Sequence, residues 1–449
     1  MERGTFSKYS WTDFVFSVIG VCTFLVDWGS DVWVATEFYC RGDFFWFGVL
    51  VGLMVLSSVV VQMFSWFWFK YDRELPGFSE HTGAKSVLFG DRVKLSCLLH
   101  VLQLGFLFRH ISAIRQGFRV WWRKEEGSEY AVYLTHDLSM LRLIETFCES
   151  APQLTLMIHV ILRTNKARTV QCEFSLCEQQ ANITVVHLFT SSWFDFCFSV
   201  VSIAASTTSI AWMVVDYHRC LRAFLIDKAK QGWGSSLIYF LWNLLLIAPR
   251  VVALALFSSV LPGYIAAHFL MLWFVFVLWA WQQRTNFMDS VCGEWLYRST
   301  VGLIWYFSWF NVAEGQTRGR SLIYHSFMTI DGVILLVTWW CYRDLVQTDA
   351  FVLPLLISLP LTYLLGLLFK TLYYCCFHPK LWRPLGREPG LPSDLPDAEV
   401  SFRDFSIQDS TPSSTLVNKR MACHATNFYT DQRVLRNPHG TNGAEPPHL

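Results

Sequence analysis

The sequence contains little charge for its length. Only 16% of its 449 residues are charged, whereas 53% are hydrophobic and 17% are aromatic. A soluble domain carries about 25% charged residues, so this composition excludes an ordinary soluble protein. The formal net charge is +1, and no module combines basic with aromatic residues, so nucleic acid is not expected as a partner.

The sequence also lacks the short motifs that mark enzymes and metal sites. It contains no P-loop, no GxSxG, no HExxH and no EF-hand loop. Its thirteen cysteines include no CxxC pair and no zinc-like Cys/His spacing. We therefore expect no catalytic centre, no metal and no cofactor. The composition instead favours a membrane protein that translocates or binds a ligand.

Long apolar runs are abundant. A membrane-spanning helix needs roughly 20 apolar residues, and ten segments provide them. They lie at 11–36, 44–69, 95–118, 135–162, 190–218, 235–260, 264–284, 295–313, 321–343 and 351–377. They divide the chain into a first membrane half, 1–218, a second membrane half, 219–377, and a polar tail, 378–449.

The distribution of Lys and Arg predicts which segments cross. With a cytoplasmic N-terminus, the basic loops 70–94 and 219–233 both belong in the cytoplasm. That parity requires segment 95–118 to re-enter the membrane without crossing, and the same argument applies to 295–313. We predict an all-α polytopic membrane protein with eight transmembrane helices and two re-entrant helices in two pseudo-repeats, with both termini cytoplasmic. Re-entrant backbone implies an interior cavity.

Segment 135–162 carries charge at membrane depth. Arg142, Glu145 and Glu149 recur at i, i+3 and i+7, so they share one helix face. Pro152 follows and predicts a kink. One interpretation is that Arg142 pairs with a glutamate and holds the bundle together. The other is that this face lines a polar path, because charge inside a membrane usually marks function.

The first segment carries an acidic stripe. At 100° per residue, Asp13 and Asp31 share one azimuth and Asp27 lies about 40° away. Ion pairs that fix helix register explain isolated charges, but a continuous stripe is harder to explain by pairing alone. Trp46 opens the second segment near the outer surface, where interfacial aromatic residues are common.

The loop 163–190 is expected outside the cell. It contains the glycosylation sequon Asn182-Ile183-Thr184. Cys40, Cys172 and Cys177 fall on the same side, where a disulfide could form, and the sequence leaves the pairing open.

The polar tail contains the one DxxD pattern of the chain. Asp394 and Asp397 are followed by the small Ala398, which suits an aspartate-directed caspase in an exposed linker. Chance is the alternative explanation. Beyond it, the stretch LVNKRMACHATNFY predicts a short helix that docks on the cytoplasmic face. Cleavage after Asp397 would release that helix.

Several long stretches resemble the XK-related protein family. They are FLVDWGSDVWVA, DLSMLRLIETFCESAPQLTL, WMVVDYHRCLRAFL, GSSLIYFLWNLLLIAPRV and EWLYRSTVGLIWYFSWFNVAEGQTRGR, which cover most of 11–377 in order. The resemblance implies eight membrane helices and two re-entrant helices. It also implies a phospholipid scramblase that needs neither ATP nor calcium and exposes phosphatidylserine, the engulfment signal of apoptosis, once an effector caspase removes the inhibitory tail.

The resemblance also implies roles for single residues. The lipid path would contain the six charged residues Asp13, Asp27, Asp31, Arg142, Glu145 and Glu149. Trp46 would be a gate at the outer leaflet, and basigin or neuroplastin would be a single-pass partner. The chain departs from the family pattern in residues about 169–195, which look inserted, and in its DLPD caspase site, where the family has a DQVD type.

Two other functions fit the same sequence features. A solute transporter or channel also has interrupted helices and charges near the bilayer midplane. A structural subunit that stabilises a single-pass partner would use its buried charges only for assembly.

Overall fold

The regular structure of the described chain is helical. The computed structural model describes residues 9–74, 93–124, 128–163, 183–224, 233–313, 317–343 and 345–377, together with 418, 420–422 and 424. Within these ranges there is no strand. The helices are α1 Trp11–Cys40, α2 Phe44–Glu74, α3 Val93–Val101, α4 Gly105–Trp122, α5 Ser128–Cys148, α6 Ser150–Arg163, α7 Ile183–Phe224, α8 Trp233–Val260, α9 Pro262–Gln282, α10 Val291–Phe307, α11 Thr317–Tyr342 and α12 Leu345–Leu372, which continues into a π-helical turn, Tyr373–Phe377.

Six of the described helices are long and apolar enough to cross a membrane. These are α1, α2, α8, α9, α11 and α12. Large apolar side chains on their outer faces are exposed, for example Leu322, Ile323 and Ile330 on α11, as expected of a surface that faces lipid. The prediction of an all-α, multi-pass membrane protein is confirmed at this level.

The segment 95–118 is broken into two helices. Residues 102–104 separate α3 from α4, and Gln103 adopts a left-handed backbone with φ 62°. The Gln62 side chain of α2 donates to the Gln103 carbonyl at 2.9 Å, and Ser58 donates to the Gln103 side chain. Non-helical backbone at membrane depth requires partners of this kind, because lipid supplies none.

The predicted kink in segment 135–162 lies at Glu149, between α5 and α6. Pro152 has no N–H to donate to the carbonyl four residues before it, at Cys148, so the helix is interrupted there. The Glu149 N–H still donates to the Glu145 carbonyl at 2.8 Å. The carboxylates on both sides of the break therefore stay close together.

The helix α10 ends inside the protein. The Trp305 carbonyl accepts from the Tyr324 hydroxyl at 2.8 Å, and the Tyr306 carbonyl accepts from Arg250 Nε at 3.1 Å. Helix-terminal carbonyls need such partners where water is absent. The predicted segment 295–313 is helical only to Phe307. Side chains of α8 and α11 supply the hydrogen bonds that the last turn of this helix cannot make within itself.

The helix α8 is the centre of the bundle. It packs against α6, α7, α9, α10, α11 and α12, and its buried residues include Trp242, Ile247 and Leu254. The bundle thus has an apolar outer surface, while its interior holds charged side chains on α1, α2, α4, α5, α7, α8, α10, α11 and α12. Those buried charges define the candidate site.

Candidate functional site

Four carboxyl groups lie together where α1 meets α5 and α6. We call Asp27, Asp31, Glu145 and Glu149 the carboxylate cluster. Ser150 donates to Asp27 at 2.7 Å, and the Gln153 amide, turned to face Asp31, lies 2.9 and 2.8 Å from its two oxygens. Glu145 interacts electrostatically with the other three carboxyls of the cluster. The structure therefore brings together four of the six residues predicted to form a path.

The carboxylate cluster does not contain an ion pair to Arg142. Arg142 Nη1 instead lies 3.3 Å from Asp216 Oδ2 on α7. The prediction that Arg142 pairs with a glutamate is therefore wrong, because α7 presents a closer carboxylate. Arg142 Nε and Nη2 are buried and make no hydrogen bond within the described part of the chain. The cluster holds more potential negative charge than the neighbouring arginine can balance.

A glycine makes room for the Arg142 guanidinium. A Cβ on Gly20 of α1 would lie 1.4 Å from Arg142 Nη2 and 1.8 Å from its Cζ. Such distances are far inside van der Waals contact, so no other residue fits without displacing the arginine. The sequence analysis did not single out this glycine, because its role depends on a contact 122 positions away in the chain.

Asp13 lies apart from the carboxylate cluster. It accepts from the backbone N–H and the hydroxyl of Ser10, both at 2.9 Å, and so caps the first turn of α1. It also forms an ion pair with Arg219 of α7 at 3.1 Å. About 21 Å of helix separates Asp13 from Asp27, so the structure divides the acidic stripe into a capping residue and two cluster residues, the half-buried Asp27 and the buried Asp31.

Trp46 lies near the start of α2 and packs against residues of α2 and α6. Its half-buried ring packs on His159, with ring centroids 4.9 Å apart, and on Phe45 at 4.9 Å. It also contacts the small apolar group of α1, α2 and α6 that includes Leu50 and Val160. Trp46 lies close to the C-terminal end of α1, the N-terminal end of α2 and the C-terminal end of α6, and its interfacial position stays a prediction.

A residue of the C-terminal tail lies inside the bundle. Arg420 Nη1 is 2.8 Å from Asp72 Oδ1, and its Nη2 is 2.7 Å from Asp137 Oδ1. Arg109 of α4 lies 3.0 Å from the other oxygen of Asp137. These four buried side chains, which we call the arginine–aspartate site, carry two positive and two negative charges.

The tail around Arg420 is also anchored by neutral contacts. Asn418 donates to Asp137 at 2.8 Å, and Met421 is fully buried. His424 Nδ1 lies 2.8 Å from the Tyr217 hydroxyl, and its ring packs on Phe287. Burial lowers the pKa of His424 to about 3, so the docked imidazole is neutral. The described residues of this stretch, 418, 420–422 and 424, thus contact the bundle, while docking of the whole stretch on the cytoplasmic face stays a prediction.

The second membrane half holds a balanced charge group. Arg250 of α8 forms an ion pair with Asp331 of α11, and His268 of α9 lies 3.0 Å from the other Asp331 oxygen. Because every charge here has a partner on another helix, the group fits the role of fixing helix register. The carboxylate cluster lacks that balance.

Several predicted site residues lie outside the described residues. These are the caspase-site residues Asp394, Asp397 and Ala398, the sequon residue Asn182, and the cysteines Cys172 and Cys177. Among the described residues, no group of three or more His, Cys, Asp or Glu side chains is arranged to hold a metal ion.

Comparison with known proteins identifies close relatives. A family model described as XK-related protein matches residues 15–379. The relative named XK-related protein 8 from Gasterosteus aculeatus is 72% identical over 432 residues, covering 96% of this chain and 100% of the relative. The protein of that name from Tetraodon nigroviridis is 71% identical over 430 residues, with 96% and 99% coverage. The one from Pan troglodytes is 41% identical over 382 residues, with 83% and 86% coverage.

The contact between Gly20 and Arg142 yields a direct test. We expect Gly20→Ala to displace the guanidinium and break the Arg142–Asp216 pair, because the new Cβ would occupy its position. Both charges would stay in the interior without their mutual contact, so the melting temperature in detergent should fall below that of the control. The matched control is Gly29→Ala on the same helix, where a Cβ meets nothing within 4 Å. Equal melting temperatures for the two variants would contradict this assignment.

Proposed function

Because the chain belongs to the XK-related family, we propose that it is a phospholipid scramblase of the plasma membrane that exposes phosphatidylserine after a caspase removes its tail. The observation that carries the proposal is the burial of Arg420, a residue of the polar tail, against two interior aspartates. A tail segment that completes the interior charge balance is suited to control what the interior does.

The carboxylate cluster supports a path for lipid headgroups. A headgroup that crosses hydrocarbon alone loses its hydration, which is costly for charged groups. Asp27, Asp31, Glu145 and Glu149 would replace water around its ammonium group, and Arg142 would contact its phosphate. The acyl chains would stay in the surrounding lipid. The process needs neither ATP nor calcium, because lipids move down their own gradient.

The proposed topology adds two more membrane crossings to the six helices that are apolar enough to span. In it, α5 with α6 forms one crossing and α7 forms the other, while α3–α4 and α10 re-enter. The result is eight transmembrane and two re-entrant helices with both termini in the cytoplasm. The arginine–aspartate site then lies towards the cytoplasm, Asp13 lies at the cytoplasmic end of the path, and Trp46 gates its outer end.

Cleavage would unbalance the interior charge. When the tail leaves, Asp72 and Asp137 keep only Arg109 as a cationic partner among their described contacts. A buried carboxylate without a partner is strongly unfavourable and favours entry of water. Asp137 lies on α5 five residues before Arg142, so a rearrangement at the arginine–aspartate site acts on the same helix that carries part of the carboxylate cluster.

The proposed partners follow from the same scheme. They are phospholipids including phosphatidylserine, an effector caspase acting at Asp397, and basigin or neuroplastin as a single-pass subunit. A solute transporter or channel predicts saturable uptake without lipid movement. A purely structural subunit predicts that neutral substitutions in the carboxylate cluster leave function intact.

The caspase step is tested in cells. We expect annexin V binding to rise after caspase activation in cells that express this chain, and the rise to be lost with Asp397→Ala. Cells that express a chain ending at Asp397 should bind annexin V without caspase activation, because the docked stretch is absent. Unchanged exposure with Asp397→Ala would point to another trigger. No exposure by any of these proteins at the cell surface would favour the transporter or the subunit.

The arginine–aspartate site predicts activation without cleavage. Replacing Arg420 by Met keeps much of the side-chain volume but leaves Asp72 and Asp137 short of one cation, so the tail should dock more weakly. We expect Arg420→Met to raise resting annexin V binding towards that of the truncated chain. The control is Lys70→Ala, which removes an exposed cation of α2 near the same end of the bundle. If cells with Arg420→Met bind no more annexin V at rest than cells with the unmodified chain, the Arg420 contact is not what inhibits the protein.

His424 predicts a dependence on cytoplasmic pH. Its docked pKa of about 3 lies below the ordinary value of about 6.5, so the undocked tail binds the proton more readily. Docking is therefore strongest above pH 6.5 and weakens as pH falls, by about 2 kcal/mol at pH 5. Tyr217 and Tyr297 face its two nitrogens.

The pH dependence is measured on the uncleaved protein in vesicles. Lipid scrambling should rise up to about 30-fold as the pH on the tail side falls from 7.5 to 5. The chain that ends at Asp397 is the control and should show no such rise. His424→Phe should flatten the profile, and a profile of unchanged steepness in that variant would contradict the role of His424.

A further inference from the structure

His159 lies beside Trp46, and among the described residues one of its ring nitrogens is hydrogen-bonded and the other is not. Its Nδ1 is 2.8 Å from the Ser258 hydroxyl of α8. That hydroxyl donates its one hydrogen to the Ala255 carbonyl at 2.9 Å. Ser258 can therefore only accept from Nδ1–H. The imidazole is held as the Nδ1–H tautomer, and its Nε2 carries a lone pair.

No hydrogen-bond donor among the described residues contacts the lone pair of His159 Nε2. The side chain is only 4% exposed, and Nε2 is buried without a hydrogen-bond partner among the described residues. Buried acceptors are normally paired, and an unpaired one costs free energy. A donor from a ligand would remove that cost when the neighbouring ring of Trp46 moves aside.

The surroundings of His159 limit which donor fits. The Trp46 ring, 4.9 Å from the imidazole, attracts cations through its π face. Arg163 lies one turn further along α6 and is exposed at the helix end. Residues four apart on a helix stand about 5–6 Å from each other on one face. The aromatic ring of Trp46, the acceptor of His159 and the cation of Arg163 thus lie at the same end of the bundle.

We propose that His159 Nε2 accepts a hydrogen bond from the primary ammonium of an aminophospholipid headgroup at the outer end of the path. Arg163 contacts the phosphate of that headgroup, which two carbons separate from the ammonium. The inference rests on the proposed function, since it assigns a lipid to the Trp46 end of the molecule. It deepens that function by naming a residue that distinguishes headgroups.

The chemistry of the headgroups gives the selectivity. Phosphatidylserine and phosphatidylethanolamine carry N–H donors, whereas the quaternary ammonium of phosphatidylcholine carries none. Both kinds of cation can stack on Trp46, so stacking does not discriminate between them. The hydrogen bond to His159 is the contact that only aminophospholipids can make.

The test compares two substitutions of His159 in the protein cleaved at Asp397. His159→Phe keeps a ring against Trp46 and removes the acceptor. His159→Gln places its amide oxygen close to the position of Nε2 and so keeps an acceptor. Each protein is reconstituted in vesicles that contain acyl-labelled phosphatidylserine, phosphatidylethanolamine or phosphatidylcholine. A second measurement uses mass spectrometry to quantify the lipids that each purified protein retains from an equimolar mixture of the three.

We expect His159→Phe to lower the rates for phosphatidylserine and phosphatidylethanolamine about tenfold relative to phosphatidylcholine, with a matching loss of retained aminophospholipid. His159→Gln should restore most of both. Transport with unchanged headgroup ratios in His159→Phe would overturn the inference and leave the scramblase proposal standing. A shift in retained lipids without any transport by the unsubstituted protein would support the inference and overturn the scramblase proposal.

Discussion

The requirement to balance charge inside an apolar bundle governs this structure. Helices that expose Leu, Ile and Val on their outer faces enclose charged side chains, each of which must find a partner because the surrounding lipid offers none. Helix α5 carries three of these buried charged side chains. It holds Asp137, which pairs with Arg420, and Arg142, which pairs with Asp216, and its last turn carries Glu145. Its neighbours on α1, α2, α4 and α7 are positioned by those contacts.

The buried charges serve two different purposes. In the second membrane half, Arg250 and Asp331 balance each other, and such a pair fixes how α8 and α11 meet. In the first half, four carboxyls face an arginine that is already committed to Asp216. An excess of buried carboxyls attracts cationic groups. The asymmetry between the halves is therefore the physical basis for proposing a lipid path in the first half.

In the proposed function, Arg420 links stability to regulation. It is a cation that the C-terminal tail supplies to the interior, and the proposed cleavage after Asp397 would remove it. A surface-bound inhibitory segment would contribute little free energy in water, whereas a buried pair is strongly destabilising when one partner leaves. If this contact is inhibitory, as we propose, its place among buried charges would let the loss of a short segment affect the first half of the bundle.

The sequence by itself determined the class of the protein and most of its helices, because hydrophobic length and the number of charges act locally along the chain. It also placed the kink near Pro152 and identified the four residues of the carboxylate cluster, since helical periodicity brings residues such as Arg142 and Glu145 to one face. Only the tertiary structure decided that Arg142 pairs with Asp216 through the space left by Gly20, that Asp13 pairs with Arg219, and that Arg420 lies between Asp72 and Asp137. These contacts join residues up to 348 positions apart, and the choice among competing buried charges depends on distances that only packing sets.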